Sequence, residues 1–529
     1  MATASTPTNA QSTGVDAGPK KTLSTTGVTI NAMALIAPGA FLWLSYQLQA
    51  GQLGPDGKTS TSMDMWQGIA FALGIAFLTA IAYSEMAKIY PDAGYGSAYY
   101  FAEKTFLDKE EATRYHKWAR ISKLVTGWAA HLFYWVFPGV MVAFFATLVS
   151  YIAGLFGVGG GEGLPLIGRI LVGALFALVC GYISVRGING STTTNLIINV
   201  VQLIALVGFG ILALMYRSSH PLDHYVHATA SSIIRPHSVP NVLYQASLAI
   251  LILVGFESCT ALGAEAKDPK RSVPIGVLLS LIIQGIFAYG FGYFCANYAI
   301  SDKLTNGTGK DLKTGMDAAA ASSAPMGDMM RLFGDTMFQQ KIGFALTVML
   351  AATVVLAVLG ATLAGTNTAV RISYAMSKDK EMPEMLGLMH GKFATPAAAT
   401  WLLTGISTII GAVGCWNTSI GLTGIALASN LGTFILYALI CVWTMIAFSH
   451  RKSNFFLHKL IPFLGLLTNL LMVGTIFYAT FASGGDTAKA GYVALGIAAA
   501  WGSASVVYVA INNARQGRTL LAQPEPSPS

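Results

Sequence analysis

The chain has 529 residues, 54% of them hydrophobic and only 11% charged, where a soluble chain carries about 25% charged residues. Its apolar residues fall into long runs with the charges in the gaps, which excludes a water-soluble domain and makes the bilayer the solvent. The net charge of +8 sits at the ends of those runs, a pattern of membrane topology and not of a nucleic-acid-binding face.

The residues up to about Gly27 are rich in Ser, Thr, Ala and Gly and predict a disordered tail, 1–27, with no cleavable leader. Apolar runs then predict an all-α integral membrane fold of about twelve spans of roughly 20 residues or more, here 28–50, 65–90, 121–156, 165–186, 192–216, 242–265, 272–298, 341–376, 396–414, 420–449, 461–484 and 489–512. Residues 513–529 end in Pro-Glu-Pro-Ser-Pro-Ser and predict a second disordered tail. Cys180, Cys259, Cys295, Cys415 and Cys441 all lie in apolar segments; an odd, buried set argues against a disulfide framework.

Span 1 carries Ala37-Pro38-Gly39-Ala40-Phe41 at its middle, and span 6 carries Gly255-Phe256-Glu257-Ser258. Proline lacks an N–H and clashes with the preceding turn, so it frees backbone groups. Breakers five spans apart are what two repeats, each led by a discontinuous helix lining a midplane site, would show. The glycine-rich stretch 157–163 lacks the strand, helix and Gly-Lys-Ser/Thr of a nucleotide loop and reads as a hairpin between spans 3 and 4. No His, Cys or acidic cluster has zinc spacing, so no cofactor is expected.

Basic residues alternate by side. Lys20 and Lys21 precede span 1, and Lys104 to Arg120 separate spans 2 and 3. Lys267, Lys270 and Arg271 follow span 6, with Lys378, Lys380 and Lys392 after span 8. The opposite connections are poor in them, and the exception, 301–340, is long enough to cross regardless of charge. Both termini are therefore expected in the cytoplasm of a multi-pass cell-membrane protein.

Three stretches carry a family resemblance. Span 2 closes on Ala82-Tyr83-Ser84-Glu85-Met86 and then Tyr90-Pro91-Asp92-Ala93-Gly94. Span 6 runs from Gly255-Phe256-Glu257 to Glu265-Ala266-Lys267-Asp268-Pro269. Span 8 closes on Asn367 and Arg371-Ile372-Ser373-Tyr374-Ala375-Met376-Ser377-Lys378-Asp379. The chain resembles the amino acid/polyamine/organocation transporter superfamily. The resemblance implies a five-plus-five inverted repeat (28–216 and 242–449) with discontinuous helices 1 and 6, plus two C-terminal helices (461–512). It also implies secondary transport of amino acids or organic amines by alternating access, by proton coupling or exchange, and no enzyme activity. Two departures stand out. Relatives that grip a carboxylate carry small residues at the span 1 break, where Pro38 here removes one amide donor, and the lysine that some proton-coupled relatives place in span 5 is absent.

Ala37, Gly39, Ala40, Phe41, Gly255, Phe256 and Glu257 are the candidate substrate-binding residues. An acid at the bilayer centre is costly unless protonated, paired or wet. Glu257 therefore reads as a group that binds a substrate ammonium or couples movement to a proton, or as a neutral acid bonded to freed amides. Glu85, close to Lys88, and Arg371 read as gate or structural ion pairs, and Glu265 with Lys267 as a cap of span 6. His131 reads as a satisfied core histidine or a proton relay, while Tyr134 and Trp135 could pack a substrate's carbon chain. Thr362 and Thr366 could offer oxygens to sodium, or pack between helices. The alternative to a transporter is a transporter-like receptor without net flux. The expected partners are an amino acid or amine, a proton or less favourably sodium, and lipid, with no nucleic acid.

Overall fold

The computed structural model describes residues 22–54, 56–107, 112–187, 192–306, 312–338, 342–393 and 395–521. In chain order its α-helices are α1 (Thr25–Ile36), α2 (Pro38–Ala50), α3 (Met65–Ile89), α4 (Ala98–Leu107), α5 (Ala112–Leu155), α6 (Leu166–Val185), α7 (Thr192–Ser219), α8 (Ala230–Ile234), α9 (Val239–Ala249), α10 (Ser258–Ala261), α11 (Pro269–Leu281), α12 (Gly292–Ala299), α13 (Gly315–Ala321), α14 (Pro325–Phe338), α15 (Ile342–Lys378), α16 (Ala397–Trp416), α17 (Thr423–Ala447), α18 (Ile461–Ala482) and α19 (Gly485–Gln516). β-pairing among the described residues is limited to isolated bridges such as Leu23 with Ala266.

Ten helices among the described residues are long and apolar enough to cross a bilayer. Spans 1 and 6 are not among them, because each is two short helices: α1 with α2, and α9 with α10. The rest follow the hydropathy pattern to within a few residues, except that α5 and α19 run on past the apolar stretch. Helices α5 and α17 form the packed centre, and α6, α18 and α19 turn apolar side chains such as Leu171, Leu467, Phe481 and Val506 outwards. That is the arrangement expected where the outer surface meets lipid.

Between α11 and α12 a π-helical stretch, Ile282–Phe291, widens the turn. There Gln284 Nε2 donates to the Met33 carbonyl at 3.0 Å and the Tyr289 hydroxyl to the Ile36 carbonyl at 2.8 Å. The same two side chains hold the last turn of α1: Gln284 adds a second donor to the Met33 carbonyl, which also accepts from the Ala37 N–H, and Tyr289 serves the Ile36 carbonyl.

Both tails are shorter than expected. Ser24 caps α1 through the Gly27 N–H, and the Leu23 main chain pairs with Glu265 and Lys267. At the other end α19 continues to Gln516. Arg120, fully buried, binds both oxygens of Glu381 at 2.6 and 2.9 Å, Asn513 Oδ1 at 2.6 Å and the Thr519 carbonyl at 2.6 Å. A buried guanidinium needs all its donors satisfied, so the segment after α19 is held where composition alone predicts disorder. Residues 1–21 and 522–529 lie outside the described residues.

The described residues of the long connection 301–340 fold as well. Helix α14 lies over α2 and the start of α15, with Trp43 against Gly327 and the Tyr151 ring edge-on to Trp43 at 5.6 Å. Tyr151 donates to Asp328 Oδ1 at 2.9 Å, the Ser322 hydroxyl to Asp328 Oδ2, and Thr347 to the Gly327 carbonyl at 3.0 Å.

Candidate functional site

The break in span 1 follows from Pro38. Its ring would strike the Ala34 carbonyl in a continuous helix, and it has no hydrogen to give. The chain turns instead at Ala37, whose φ of +36° lies in the left-handed region, a conformation that costs a non-glycine residue roughly 1–2 kcal/mol. Helix α2 then restarts with Pro38 in its first turn, where a missing N–H does least harm. The Gly39 N–H donates to Gln202 Oε1 of α7 at 3.1 Å, and the Ala40 N–H returns to the Ala37 carbonyl at 3.1 Å.

The break in span 6 follows from Gly255, with φ +121°, a region open to glycine alone. A Cβ there would lie 3.0 Å from Leu35 Cγ and 3.1 Å from the Ile36 nitrogen, so the two breaks touch. The Gly255 N–H donates to Glu257 Oε2 at 3.0 Å; Tyr134 of α5 donates to Oε1 at 2.9 Å and Tyr437 of α17 to Oε2 at 2.8 Å. Glu257 is 1% exposed, and its described ion-pair partners include no Lys, Arg or His. Phe256 lies against Tyr437 at 5.4 Å and edge-on to Tyr83 at 6.2 Å. The Tyr83 hydroxyl is buried without a hydrogen-bond partner among the described residues. An orphaned buried hydroxyl costs about 1–3 kcal/mol, and beside a buried acid it marks a place for a ligand or a water.

A cavity of about 320 Å³ lies between α1, α7, α10 and α15 on the side where α1 begins and α15 ends, and it comes to Ser258, next to Glu257, without being lined by the seven candidate substrate-binding residues themselves. Asn31, Asn195, Ser258 and Thr368 contribute polar atoms, and Arg371 and Glu265 stand in its wall with Nη2 to Oε1 at 2.6 Å. Glu265 thus faces Arg371 and does not simply cap span 6. On the opposite side α14 and the Gln49–Gln245 amide pair (3.1 Å) close over the breaks.

The other candidates are dispersed. Glu85 binds Lys88 at 2.6 Å and His458 Nε2 at 3.1 Å; His458 Nδ1 accepts from the Asn454 N–H at 2.9 Å, which puts the ring proton on Nε2, facing Glu85. His131 has both nitrogens engaged, Nδ1 with the Gly127 carbonyl at 2.7 Å and Nε2 with Ser373 at 2.9 Å, a satisfied core histidine. Trp135 donates to Ser373 and packs on Trp501 at 5.1 Å, away from Glu257, so of the two aromatic candidates in span 3 only Tyr134 reaches the acid. Thr362 gives its hydroxyl hydrogen to Val358 within its own helix at 2.6 Å, and Thr366 is buried nearby. The side chain of Phe41 lies outside the described residues.

Sequence reasoning missed Tyr437, Tyr83 and Gln202. It also missed a buried ion-pair group at the end of α15, in which Lys123 meets Glu103 at 2.8 Å and Asp379 at 2.9 Å, with the Tyr99 hydroxyl on Asp379. Tyr437 and Gln202 signalled only as polar side chains inside apolar runs, and Glu103 and Asp379 sit beside lysines, where an exposed connection is the ordinary reading.

The profile of the amino acid permease family matches residues 21–499. The chain is 25% identical over 374 residues to the branched-chain amino acid permease BcaP of Lactococcus lactis subsp. cremoris, covering 65% of this chain and 68% of that one. It is 22% identical to BcaP of Bacillus subtilis over 71% of each chain. Against the low-affinity putrescine importer PlaP of Escherichia coli it is 21% identical, over 85% of this chain and 87% of the relative. With a profile match across most of its length and a multi-pass helical fold around two touching helix breaks, the chain belongs to the amino acid permease family, whose members are membrane transporters and not enzymes.

Proposed function

We propose that this protein is a secondary transporter of amino acids or related organic amines, working by alternating access and driven by protons or by exchange. The observation that carries the reading is Glu257, a buried acid at the break in span 6, held by two tyrosine hydroxyls and an amide and left without a cationic partner among the described residues. Such a group is neutralised by a proton or by a substrate ammonium. A difference in affinity for either ligand between inward and outward states would drive accumulation.

In this reading the polypeptide spans the cell membrane twelve times with both termini in the cytoplasm. Residues 28–216 and 242–449 form the two inverted repeats and 461–512 the added pair of helices. The cavity beside Arg371 and Glu265 is then the cytoplasmic pathway and α14 the outer lid. Arg371 with Glu265, and Glu85 with Lys88 and His458, are inner-gate pairs that separate or re-form as the bundle rocks. Ala37, Gly39, Ala40 and Phe41 with Gly255, Phe256 and Glu257 border the substrate.

The test is uptake into proteoliposomes of labelled amino acids and polyamines, with and without an imposed proton gradient, for wild type and Glu257→Gln. Uptake stimulated by the gradient in wild type, and indifferent to it in the variant, is the expected result. A panel that binds without moving under any gradient or counter-substrate would sink the transport reading.

A further inference from the structure

Resting on the transporter reading, we infer that the site selects organic amines over α-amino acids, because the helix breaks offer acceptors to an ammonium group and Gln202 fills the donor position that a carboxylate would need. A carboxylate in a broken membrane helix is ordinarily met by the free amides that open the outer half-helix. In α2 those amides are spent. Pro38 has none, the Gly39 N–H goes to Gln202 Oε1 at 3.1 Å, and the Ala40 N–H goes back to Ala37. Gln202 is 2% exposed, and only its oxygen can face an N–H, so its orientation follows from chemistry.

That contact is built into the register of two helices. Asn195, Asn199 and Gln202 share one face of α7. Asn195 Nδ2 binds Asn31 Oδ1 at 2.8 Å, and Asn199 Nδ2 reaches the Ile30 carbonyl at 3.3 Å. With α7 fixed along α1 in this way, the next position on the same face falls at Gly39.

The acceptors are the counterpart. The Ala34 carbonyl has lost its helical donor to Pro38, and the Leu35 carbonyl has lost the Gly39 N–H to Gln202. Glu257 adds a carboxylate, and the orphaned Tyr83 hydroxyl can give or take a hydrogen bond and serves either kind of ligand. Residues 25–50 and 239–265, the two broken helices, contain no Lys, Arg or His. The two broken helices therefore hold negative and acceptor character with no cation of their own, and Arg371 in the cavity wall already faces Glu265 at 2.6 Å, which favours an ammonium group standing alone on an apolar chain.

The experiment compares two ligands that differ only by the carboxylate. Leucine and 3-methylbutylamine, with putrescine as a third, compete for uptake into proteoliposomes containing the full-length protein. The expected result is an apparent affinity for 3-methylbutylamine about tenfold or more above that for leucine, the scale of one unmet charged hydrogen bond. Gln202→Ala, which frees the Gly39 N–H, narrows that ratio, and Gln202→Met, which keeps the volume but removes the acceptor, narrows it as well. Leucine competing as well as or better than 3-methylbutylamine in wild type overturns the inference while leaving the transport reading intact. A ratio unchanged in both variants overturns the part given to Gln202. Failure of every amine and amino acid to move removes the transport reading and this inference together.

Discussion

Replacing Gly255 by alanine asks one position to do two things it cannot do cheaply. Its φ of +121° is closed to a side chain, and the new Cβ would press on Leu35 and on the Ile36 main chain, part of the strained turn beside it. Conformational cost and overpacking together should destabilise the protein by about 2–4 kcal/mol, seen as a lower unfolding temperature in detergent, with uptake lost. Gly74→Ala, a glycine of α3 with open space around it, should leave both unchanged. If the two variants behave alike, contact between the breaks has no bearing on stability.

The individual residues divide by how far their partners lie along the chain. Pro38, Gly255 and Glu257 were legible because each is anomalous alone: a breaker or a charge in an apolar run. Tyr437 and Gln202 are ordinary in their own spans. They matter because the fold brings Tyr437 to an acid 180 positions away and Gln202 to an amide 163 positions away. Hydropathy carries no information on which face of which helix meets which. For the same reason the sequence shows the donor lost at Pro38 but not that Gln202 occupies the next amide of α2.

At the level of elements, apolar run length located the continuous spans, and two internal breakers located the discontinuous ones. Helices α13 and α14 were read only as a long loop, since their amphipathic faces are short and pack onto other helices without crossing the bilayer. Helix α14 carries its own titratable group. Asp328 is partly buried under Tyr151 and Ser322, with Arg331 one turn on, and burial pushes its carboxyl from 3.8 up to about 6 despite the hydroxyl donors. With α14 as the proposed lid, the closed form holds the proton more tightly than an open one, where Asp328 returns to water. By linkage the contribution to closure is fully present below about pH 3.8 and is lost as pH rises through about 6. Amide exchange in 325–338, corrected for its intrinsic pH dependence, should show more protection at about pH 5 than at about pH 7.5. Asp328→Asn should flatten that difference. Protection that grows with pH would mean that the ionised carboxylate is the form the lid prefers.

For the whole molecule the decisive feature is a cavity beside the central breaks on one side of the bundle. The cavity between α1, α7, α10 and α15 lies on the side where α1 begins and α15 ends, while on the other side α14 packs on α2 and α7 and the Gln49–Gln245 pair joins α2 to α9. All five cysteines are buried and unpaired, so background labelling by a bulky, membrane-impermeant maleimide should be low. Ala364→Cys places a thiol in the cavity wall, and Ala40→Cys places one at the buried start of α2. In oriented vesicles Ala364→Cys should react from the face where α1 begins and α15 ends, and Ala40→Cys from neither face. Alternating access adds a requirement that a fixed one-sided cleft does not: a transported ligand with its driving gradient must slow the labelling of Ala364→Cys, because part of the population turns its opening to the other side. The ligand must do so at concentrations that also saturate uptake. Labelling that ignores every transported compound would describe a permanent vestibule, and rocking of the two repeats would then lose its main structural support.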